Sequence, residues 1–308
     1  MTKSSVPGKI ILFGEHAVVY GRPALAVPVT QVHADVDVSD SPRPGIWIEA
    51  PDVNLQAELN TLSSDHPIAS VIHNFLFLLR LPRFPNLAIK IISTIPVASG
   101  LGSGAAVTVA LTRAMAAHLQ YAMADEEVNA FTYEIEKIHH GTPSGIDNTV
   151  VTYARPVYFV KGQPIETLQV GKPFTIVIAD TGISAPTKES VGDVRRLWMN
   201  DRSRWETVFD KIGEISFTAR RAIEAGKPEL LGELMNENHA VLKTLTVSSL
   251  ELDKLVEAAH QAGALGAKLS GGGRGGNMIA LVKKETAESV SAALLSAGAK
   301  RTIVTEVS

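Results

Sequence analysis

A glycine- and serine-rich stretch at residues 96–106 constrains this chain more than any other segment. An apolar run at 87–95 precedes it and predicts a strand, and a run of small residues at 105–119 follows it and predicts a helix. Glycine tolerates positive φ and close approach of a ligand, and the first turn of a helix carries unpaired N–H groups that favour an anion. The stretch therefore predicts either a loop that holds phosphates or a tight turn capped by Ser103.

The composition is that of an ordinary soluble protein with one large or two average domains: 308 residues, 45% hydrophobic, 20% charged and a net charge of −3. This charge suggests neither a nucleic-acid partner nor a membrane surface. The chain has no cysteine, which excludes disulfides, thiolate zinc sites and a cysteine nucleophile. It shows no apolar run long enough for a signal peptide or a membrane span. We therefore expect a cytoplasmic protein.

Periodicity predicts a β-rich start, with helical patterns beginning only near residue 66. Residues 17–23 suggest a strand end and turn, and 149–153 either the start of a helix or extended chain. The second half is mostly helical, and its last part has the order β-β-α-β, which indicates an α+β arrangement. We place a domain boundary near residue 170, giving domains 1–170 and 171–308. The predicted strands are 8–14, 24–29, 32–38, 45–50, 87–95, 156–160, 174–179, 267–270, 277–282 and 301–307; the predicted helices are 67–81, 105–119, 125–139, 187–199, 205–225, 227–245, 250–263 and 285–297.

Polar residues interrupt the apolar segment at 8–21. In an alternating strand, Lys9 shares a face with Ile11 and Phe13. An inward lysine needs a charged partner, whereas a strand-end lysine reaches water. Glu15 and His16 follow the strand and, taken alone, are either solvated turn residues or part of a site.

Two carboxylates and two glycine-rich segments carry the remaining chemical signals. Asp147, in the loop 141–148, is a candidate helix N-cap, Mg²⁺ ligand or general base. Glu136 lies near a helix C-terminus, where a carboxylate opposes the helix dipole, so it is either exposed or beside a cation. The stretch 96–106 lacks the G-x-x-x-x-G-K-[ST] pattern, so phosphate charge there must be balanced by Mg²⁺ and by a lysine elsewhere, such as Lys9.

The run 271–276 contains a literal G-x-G-x-x-G, but it is followed by a strand pattern at 277–282. A dinucleotide fingerprint requires a helix at that point. We therefore reject a Rossmann fold, while a glycine-rich connection between two strands can still approach a substrate closely.

Taken together and in order, five segments resemble the motifs of the GHMP kinase superfamily, and most closely those of its mevalonate kinase family. The first is Pro-Gly-Lys-Ile-Ile-Leu-Phe-Gly-Glu-His-Ala-Val-Val-Tyr-Gly at 7–21, and the second is the stretch 96–106. His-Gly-Thr-Pro-Ser-Gly-Ile-Asp-Asn at 140–148 is similar to the segment with the catalytic aspartate. Residues 180–188 resemble a substrate-side segment, and 268–276 the third glycine motif.

The resemblance implies a two-domain α+β GHMP kinase fold. Its N-terminal domain would be ribosomal protein S5 domain 2-like, and its C-terminal domain ferredoxin-like with extra helices. It also implies transfer of the γ-phosphoryl group of ATP to the primary 5-hydroxyl of (R)-mevalonate, giving 5-phosphomevalonate for isoprenoid precursor synthesis. The implied cofactors are ATP and Mg²⁺, the implied substrate is mevalonate, and a homodimer is a fair expectation.

The same resemblance assigns roles to individual residues. Asp147 acts on the substrate hydroxyl as base or orienting group, and Lys9 pairs with Asp147 and stabilises charge on the reacting oxygen. Glu136 and Ser103 hold Mg²⁺. The residues facing or supporting mevalonate are Lys9, Glu15, His16, Asp147 and Thr187. The ATP-binding residues are Pro96, Val97, Ala98, Ser99, Gly100, Leu101, Gly102, Ser103, Gly104, Ala105 and Ala106.

Two positions depart from the family pattern. Gly104 stands where the family often has a second serine; if that serine is the Mg²⁺ ligand, the ligand is missing here, and Ser103 or water must substitute for it. Arg274 stands where the family usually has a small residue, and it either binds substrate or nucleotide through paired hydrogen bonds or points to solvent.

Other activities fit parts of the pattern. Homoserine kinase and phosphomevalonate kinase are alternatives within the superfamily, although residues 14–21 and 143–148 favour mevalonate kinase over both. A variant that phosphorylates another mevalonate hydroxyl keeps the same motifs. A non-catalytic nucleotide-binding regulator is disfavoured because Lys9, Glu136 and Asp147 are all present.

Overall fold

The computed structural model describes residues 1–81, 83–97, 99–140, 143–184 and 187–308. The strands are β1 (Thr2–Phe13), β2 (Ala24–Asp40), β3 (Ile46–Ala50), β4 (Leu55–Glu58), β5 (Leu87–Ser93), β6 (Val157–Phe159), β7 (Glu166–Thr167), β8 (Phe174–Asp180), β9 (Gly266–Ser270), β10 (Asn277–Val282) and β11 (Arg301–Val307). The helices are α1 (Pro67–Leu79), α2 (Ser103–His118), α3 (Asp125–His140), α4 (Ile146–Tyr153), α5 (Thr187–Asn200), α6 (Arg202–Glu224), α7 (Leu231–Thr244), α8 (Leu250–Gln261) and α9 (Ala287–Ser296).

The chain forms two compact units that are interleaved in the sequence. The first unit contains residues 1–8, 32–97 and 102–154, and the second contains 9–31, 98–101 and 155–308. Strands β1 and β2 and the glycine-rich stretch 96–106 are therefore each divided between the units. The domain limits 1–170 and 171–308 stay a prediction.

The first unit is built on the second half of β2. This part of β2 pairs antiparallel with β5, β3 runs parallel to β5, and β4 pairs antiparallel with β3. Val32, Ala34, Val36 and Val38 are buried while the residues between them are partly or fully exposed, which confirms the predicted half-buried strand. Helices α1 to α4 complete this unit, and α2 buries several alanines.

The second unit contains a four-stranded antiparallel sheet with the order β11-β8-β10-β9. Along the chain, β8, α8, β9, β10, α9 and β11 follow the β-α-β-β-α-β pattern of a ferredoxin-like fold, with α5, α6 and α7 inserted after β8. Apolar side chains from the sheet and these helices share one core, which includes Phe209, Leu255 and Met278. The predicted α+β class and the closing β-β-α-β order are confirmed.

Several predicted elements differ from those observed. Residues 17–20 form a 3-10 helix instead of a strand end, and Gly21 at φ 81° ends it. The predicted strands 24–29 and 32–38 are one continuous strand, β2, because pairing with different partners along its length outweighs the polar interruption between them. Residues 149–153 belong to helix α4, and strands β4 and β7 are too short for a periodic pattern to reveal.

None of the described helices is long and apolar enough to cross a membrane.

A close approach between α7 and β9 depends on two glycines. A Cβ on Gly266 would overlap the backbone of Gly232, and one on Gly232 would overlap the carbonyl of Leu265. Because backbone atoms on both sides would have to move, neither position accepts a larger residue without displacing the strand that carries Lys268.

We expect Gly266→Ala to lower the free energy of unfolding by about 1–3 kcal/mol, the usual cost of overpacking a core. Gly192 in α5 has open space around its Cα and no positive φ, so Gly192→Ala is the matched control and should be neutral or stabilising by about 0.5–1 kcal/mol. Urea unfolding followed by circular dichroism measures both, and equal stabilities would contradict the close approach.

Candidate active site

A fully buried ion pair lies within the second unit. Glu15 Oε1 contacts Lys268 Nζ, both side chains are fully buried, and Asn238 Nδ2 donates a hydrogen bond to Glu15 Oε2 at 3.1 Å. Burial lowers the pKa of Lys268, and the charge of Glu15 opposes that shift. Glu15 is therefore not a solvated turn residue, and the pair joins the segment after β1 to β9.

His16 is also buried, so its reading as a solvated turn residue is wrong. Its Nε2 lies 3.1 Å from the carbonyl oxygen of Gly272. Burial lowers the pKa of His16 to about 4. The hydrogen bond to Gly272 opposes this shift, and the charge of Arg274 adds a smaller lowering. The neutral ring therefore donates from Nε2, and its buried Nδ1 is an acceptor without a hydrogen-bond partner among the described residues.

The loop between β9 and β10 lies against the other predicted segments of the second unit. A Cβ on Gly272 would lie 3.1 Å from Thr187 Oγ1, which places the exposed first residue of α5 beside this loop. At the end of the loop, Asn277 Nδ2 donates to the carbonyl oxygen of Ser99. At its start, Ser270 Oγ donates to the carbonyl oxygen of Ile11 at 2.7 Å. Parts of four of the five resembling segments therefore meet here.

Lys9 lies on a part of β1 that is buried on both faces. All residues from 6 to 13 are buried, and Lys9 is only 3% exposed, so the reading of a strand-end lysine that reaches water is wrong. Its backbone N–H donates to the carbonyl oxygen of Leu101 at 2.9 Å. Gly100 has φ 84°, which lets the buried residues Ser99 and Leu101 flank a tight turn.

In the first unit, the glycine-rich stretch ends at the start of α2. Gly102, at φ 75°, is the N-cap and supplies no side chain, so the cap expected from Ser103 is wrong; Ser103 is the first helical residue. The first turn of α2 contains no acidic residue. Glu136 is buried at 9% exposure, and its Oε1 would lie 3.6 Å from a Cβ on Gly104. The exposed reading of Glu136 is therefore wrong.

The remaining nucleotide-loop residues in the first unit are Pro96, Val97, Ala105 and Ala106; the two alanines are buried in α2, whereas Val97 is 70% exposed. Ala98 lies outside the described residues, as do Gly141 and Thr142 before the aspartate segment.

Asp147 is the second residue of α4. Gly145, at φ 93°, is the N-cap of that helix, so the N-cap reading of Asp147 is wrong. Its half-buried carboxylate lies in the first turn, where the helix dipole stabilises negative charge. Next to it, Asn148 Nδ2 donates to Asn129 Oδ1 at 2.6 Å, which holds α4 against α3.

Glu136 and Ser103 are the candidate oxygen ligands for a metal ion. A carboxylate and a hydroxyl beside a helix N-terminus are the hard donors that Mg²⁺ takes together with phosphate oxygens and water, so these residues fit that ion. No group of three or more His, Cys, Asp or Glu side chains suited to a metal lies in the described part of the chain.

Sequence reasoning missed several residues of this site: Lys268, Asn238, Asn277 and Asp193, which pairs with Arg274. A lysine inside an otherwise apolar strand was the signal used for Lys9, and the same signal at β9 would have found Lys268. The solvent-pointing reading of Arg274 is wrong, because its guanidinium is paired.

Comparison with known proteins supports the motif assignments. Residues 68–155 match the model of the GHMP kinases N terminal domain, and residues 219–300 match that of the GHMP kinases C terminal region. These two models describe the two parts of one class of small-molecule kinases.

Curated relatives match nearly the whole chain. A mevalonate kinase of Pyrococcus abyssi is 35% identical over 96% of this chain and 92% of its own length. One from Saccharolobus solfataricus is 32% identical over 92% of this chain and 91% of its own. The chain therefore belongs to the mevalonate kinase family of the GHMP kinases.

Solved structures agree with this membership. The crystal structure of L. major mevalonate kinase in complex with R-mevalonate has a TM-score of 0.86 at 28% identity, covering 100% of this chain and 96% of that one. Mevalonate kinase from methicillin-resistant Staphylococcus aureus is 32% identical, with a TM-score of 0.74 and coverage of 99% and 98%. A Streptococcus pneumoniae phosphomevalonate kinase at 16% identity shares the fold with a TM-score of 0.83. The two-domain GHMP kinase fold expected from the resemblance is confirmed.

We expect the free energy of unfolding to fall as the pH is lowered from 6.5 towards 4. Burial lowers the pKa of His239, as of His16, to about 4; for His239 the charge of Asp253 opposes that shift, and those of Lys268 and Lys243 add to it. The unfolded chain thus takes up protons at pH 5 that the folded chain does not. The loss should be about 2 kcal/mol for each histidine between pH 7.5 and pH 5.

Chemical denaturation at several pH values measures how steeply the free energy of unfolding falls with decreasing pH, which is the slope to be compared between variants. His239→Gln should flatten it by about half, whatever its effect on stability at pH 7.5. An unchanged slope in that variant would contradict a neutral buried His239.

Proposed function

We propose that this chain transfers the γ-phosphoryl group of ATP to the primary 5-hydroxyl of (R)-mevalonate, giving 5-phosphomevalonate in isoprenoid precursor synthesis. The observation that carries the proposal is the similarity to proteins named mevalonate kinase over 96–99% of the chain at 34–35% identity. A likeness confined to the nucleotide loop would support only a kinase, whereas this one extends over the substrate-side segments.

The geometry around His16 supports a hydroxylated substrate. Its Nε2 is taken by Gly272, and its buried Nδ1 accepts a hydrogen bond that no described residue supplies. A hydroxyl of mevalonate can donate this hydrogen bond. A substrate without a hydroxyl would leave the buried Nδ1 unpaired, which would weaken its binding. Thr187 Oγ1 would lie 3.1 Å from a Cβ on Gly272, so this hydroxyl is near the same loop and would contact the substrate as well. Glu15 supports the site through Lys268.

The nucleotide phosphates are assigned to residues 96–106. The first turn of α2 has open N–H groups, no acidic side chain and a glycine N-cap, which suits an anion. Glu136 and Ser103 would hold Mg²⁺ beside it, with phosphate and water oxygens completing the ligands. When bound, the ion neutralises charge on the β- and γ-phosphoryl oxygens.

Two further residues would act on the acceptor hydroxyl. Asp147 would orient this hydroxyl and accept its proton as the oxygen attacks the γ-phosphorus, while the bond from that phosphorus to the bridging oxygen breaks and ADP leaves. Lys9 supplies positive charge that stabilises the developing negative charge. Phosphoryl transfer depends mainly on such positioning and charge stabilisation, so the chain needs no covalent intermediate.

The proposal also includes Mg²⁺ as the required ion, a homodimer and a cytoplasmic location. These finer points rest on the family resemblance. Sedimentation of the purified chain at several concentrations tests the dimer directly.

A coupled ADP-release assay with mevalonate, phosphomevalonate and homoserine tests the substrate, and NMR locates the phosphate on the product. We expect ADP release with mevalonate and phosphate on the 5-hydroxyl. Absence of ADP release with mevalonate would overturn the proposal, and phosphate on the 3-hydroxyl would replace it with the variant activity. Failure of all three substrates would favour a regulator.

Two variants in the same assay separate enzyme from contaminant. Asp147→Asn and Lys9→Met should each lower kcat by about 10²–10⁴, the range for a lost proton acceptor or charge stabiliser. Glu288, an exposed first-turn carboxylate of α9, provides the control Glu288→Gln, which should keep the wild-type rate. Near-normal turnover in Asp147→Asn would remove its assigned role.

Gly104 tests the metal site. A Cβ there meets only Glu136 Oε1 at 3.6 Å, an ordinary contact, so a serine fits and brings a hydroxyl to the carboxylate. We expect Gly104→Ser to lower the Mg²⁺ concentration for half-maximal activity about threefold, because it adds one oxygen ligand worth less than 1 kcal/mol. Gly104→Ala adds the same Cβ without the hydroxyl and should leave the Mg²⁺ concentration for half-maximal activity unchanged. Equal behaviour of the two variants would argue against Mg²⁺ at this place.

A further inference from the structure

Arg274 is the one non-glycine residue in the run 271–276, and it has a left-handed backbone with φ 61°. Residues with a Cβ rarely adopt this conformation, because the Cβ approaches the following carbonyl oxygen. Such a backbone persists where surrounding contacts hold it. The side chain of Arg274 therefore needs a structural account.

That side chain ties the loop to two neighbouring elements. Arg274 Nη1 pairs with Asp193 of α5, and Nε donates to the carbonyl oxygen of Thr246 at 3.2 Å. The backbone N–H of Arg274 donates to the carbonyl oxygen of Val247 at 2.8 Å. A Cβ on Gly273 would overlap that same carbonyl, so the loop lies directly against the turn after α7.

The tied loop is the one that holds His16. Gly272, two residues before Arg274, accepts the hydrogen bond from His16 Nε2, and a Cβ on Gly272 would lie 3.1 Å from Thr187 Oγ1 of α5. Asp193 lies on the same helix as Thr187, two turns further along. The Arg274–Asp193 pair thus fixes the distance between the two elements that flank the acceptor side of the site.

We propose that Arg274 and Asp193 form a latch that fixes Gly272, and through it the ring of His16, in the orientation that binds the acceptor substrate. Arg274 and Asp193 are then positioning residues, not catalytic residues. This inference rests on the proposed function for the identity of the substrate, but the latch itself is a property of the loop in the free protein.

A direct role of Arg274 in binding phosphate is the competing account. All three guanidinium nitrogens have protein partners: Nη1 contacts Asp193, Nε contacts the Thr246 carbonyl, and Nη2 lies 3.4 Å from Thr246 Oγ1. A guanidinium bound in this way is directed at the protein, which favours positioning over ligand contact.

Steady-state kinetics test the latch. Arg274→Ala should raise KM for mevalonate about tenfold, the effect of losing one charge-assisted hydrogen bond, with kcat changed less than about threefold and KM for ATP unchanged. Arg274→Lys keeps the charge and should recover part of the loss. Arg274→Gly removes the strain of the left-handed backbone but also removes the guanidinium, so it should raise KM for mevalonate as Arg274→Ala does. Wild-type kinetics in Arg274→Gly would overturn the latch.

A double-mutant cycle separates the latch from direct phosphate binding. Asp193→Asn should reproduce the rise in KM, and the double variant Asp193→Asn/Arg274→Ala should be no worse than either single variant. If Arg274 binds ligand directly, Asp193→Asn releases it and leaves KM unchanged or lowered, which would overturn the proposal. Arg220 of the same unit also forms ion pairs, with Glu166 and Glu224, and none of these three residues belongs to the candidate site. Arg220→Ala is therefore the matched control and should keep the wild-type KM for mevalonate.

Hydrogen–deuterium exchange tests the loop without any substrate. Amides in 271–276 should exchange faster in Arg274→Ala and Arg274→Gly than in wild type or Arg220→Ala. Unchanged exchange would overturn the latch even if mevalonate is the substrate. Faster exchange in a protein that does not phosphorylate mevalonate would support the latch and overturn the proposed function instead.

Discussion

The buried contact between Glu15 and Lys268 is the interaction on which the second unit's site depends. Each charge loses its hydration on burial, and the other charge, together with Asn238 and a backbone carbonyl, compensates for that loss. Removing one partner would leave an unpaired charge in the core. The pair therefore specifies how the segment after β1 lies against β9. His16 is the next residue after Glu15, and the glycine-rich loop follows β9, so the pair also places both of them.

Left-handed glycines determine where the polar groups of the site are presented. Gly102 and Gly145 are the N-caps of α2 and α4, and neither offers a side chain to the first turn. The N–H groups of α2 are thus open to an anion, whereas the dipole of α4 acts on Asp147. The same backbone feature suits the proposed phosphate-binding loop at α2 and the proposed reactive carboxylate in α4.

Arg274 is held by protein contacts that its position in the sequence does not suggest. In the sequence it is a positive charge in a glycine-rich run near a phosphate-handling site, which suggests a ligand contact. In the structure its partners are Asp193 and the turn at 246–247, elements distant in the chain. No local pattern connects those three positions, so their meeting could not have been predicted.

The sequence by itself determined the class of fold, most element positions and the segments that form the site, because hydrophobic period and glycine placement are local properties. It also supplied Lys9, Glu136 and Asp147 as candidates. Only the tertiary structure decided that Glu15 and His16 are buried, that Lys268 and Gly272 are their partners, and that Arg274 is paired. Glu15 and His16 have partners more than two hundred positions away in the chain, and Arg274 has one 81 positions away. The energy of a charge depends on what surrounds it in space, not on its neighbours in the chain.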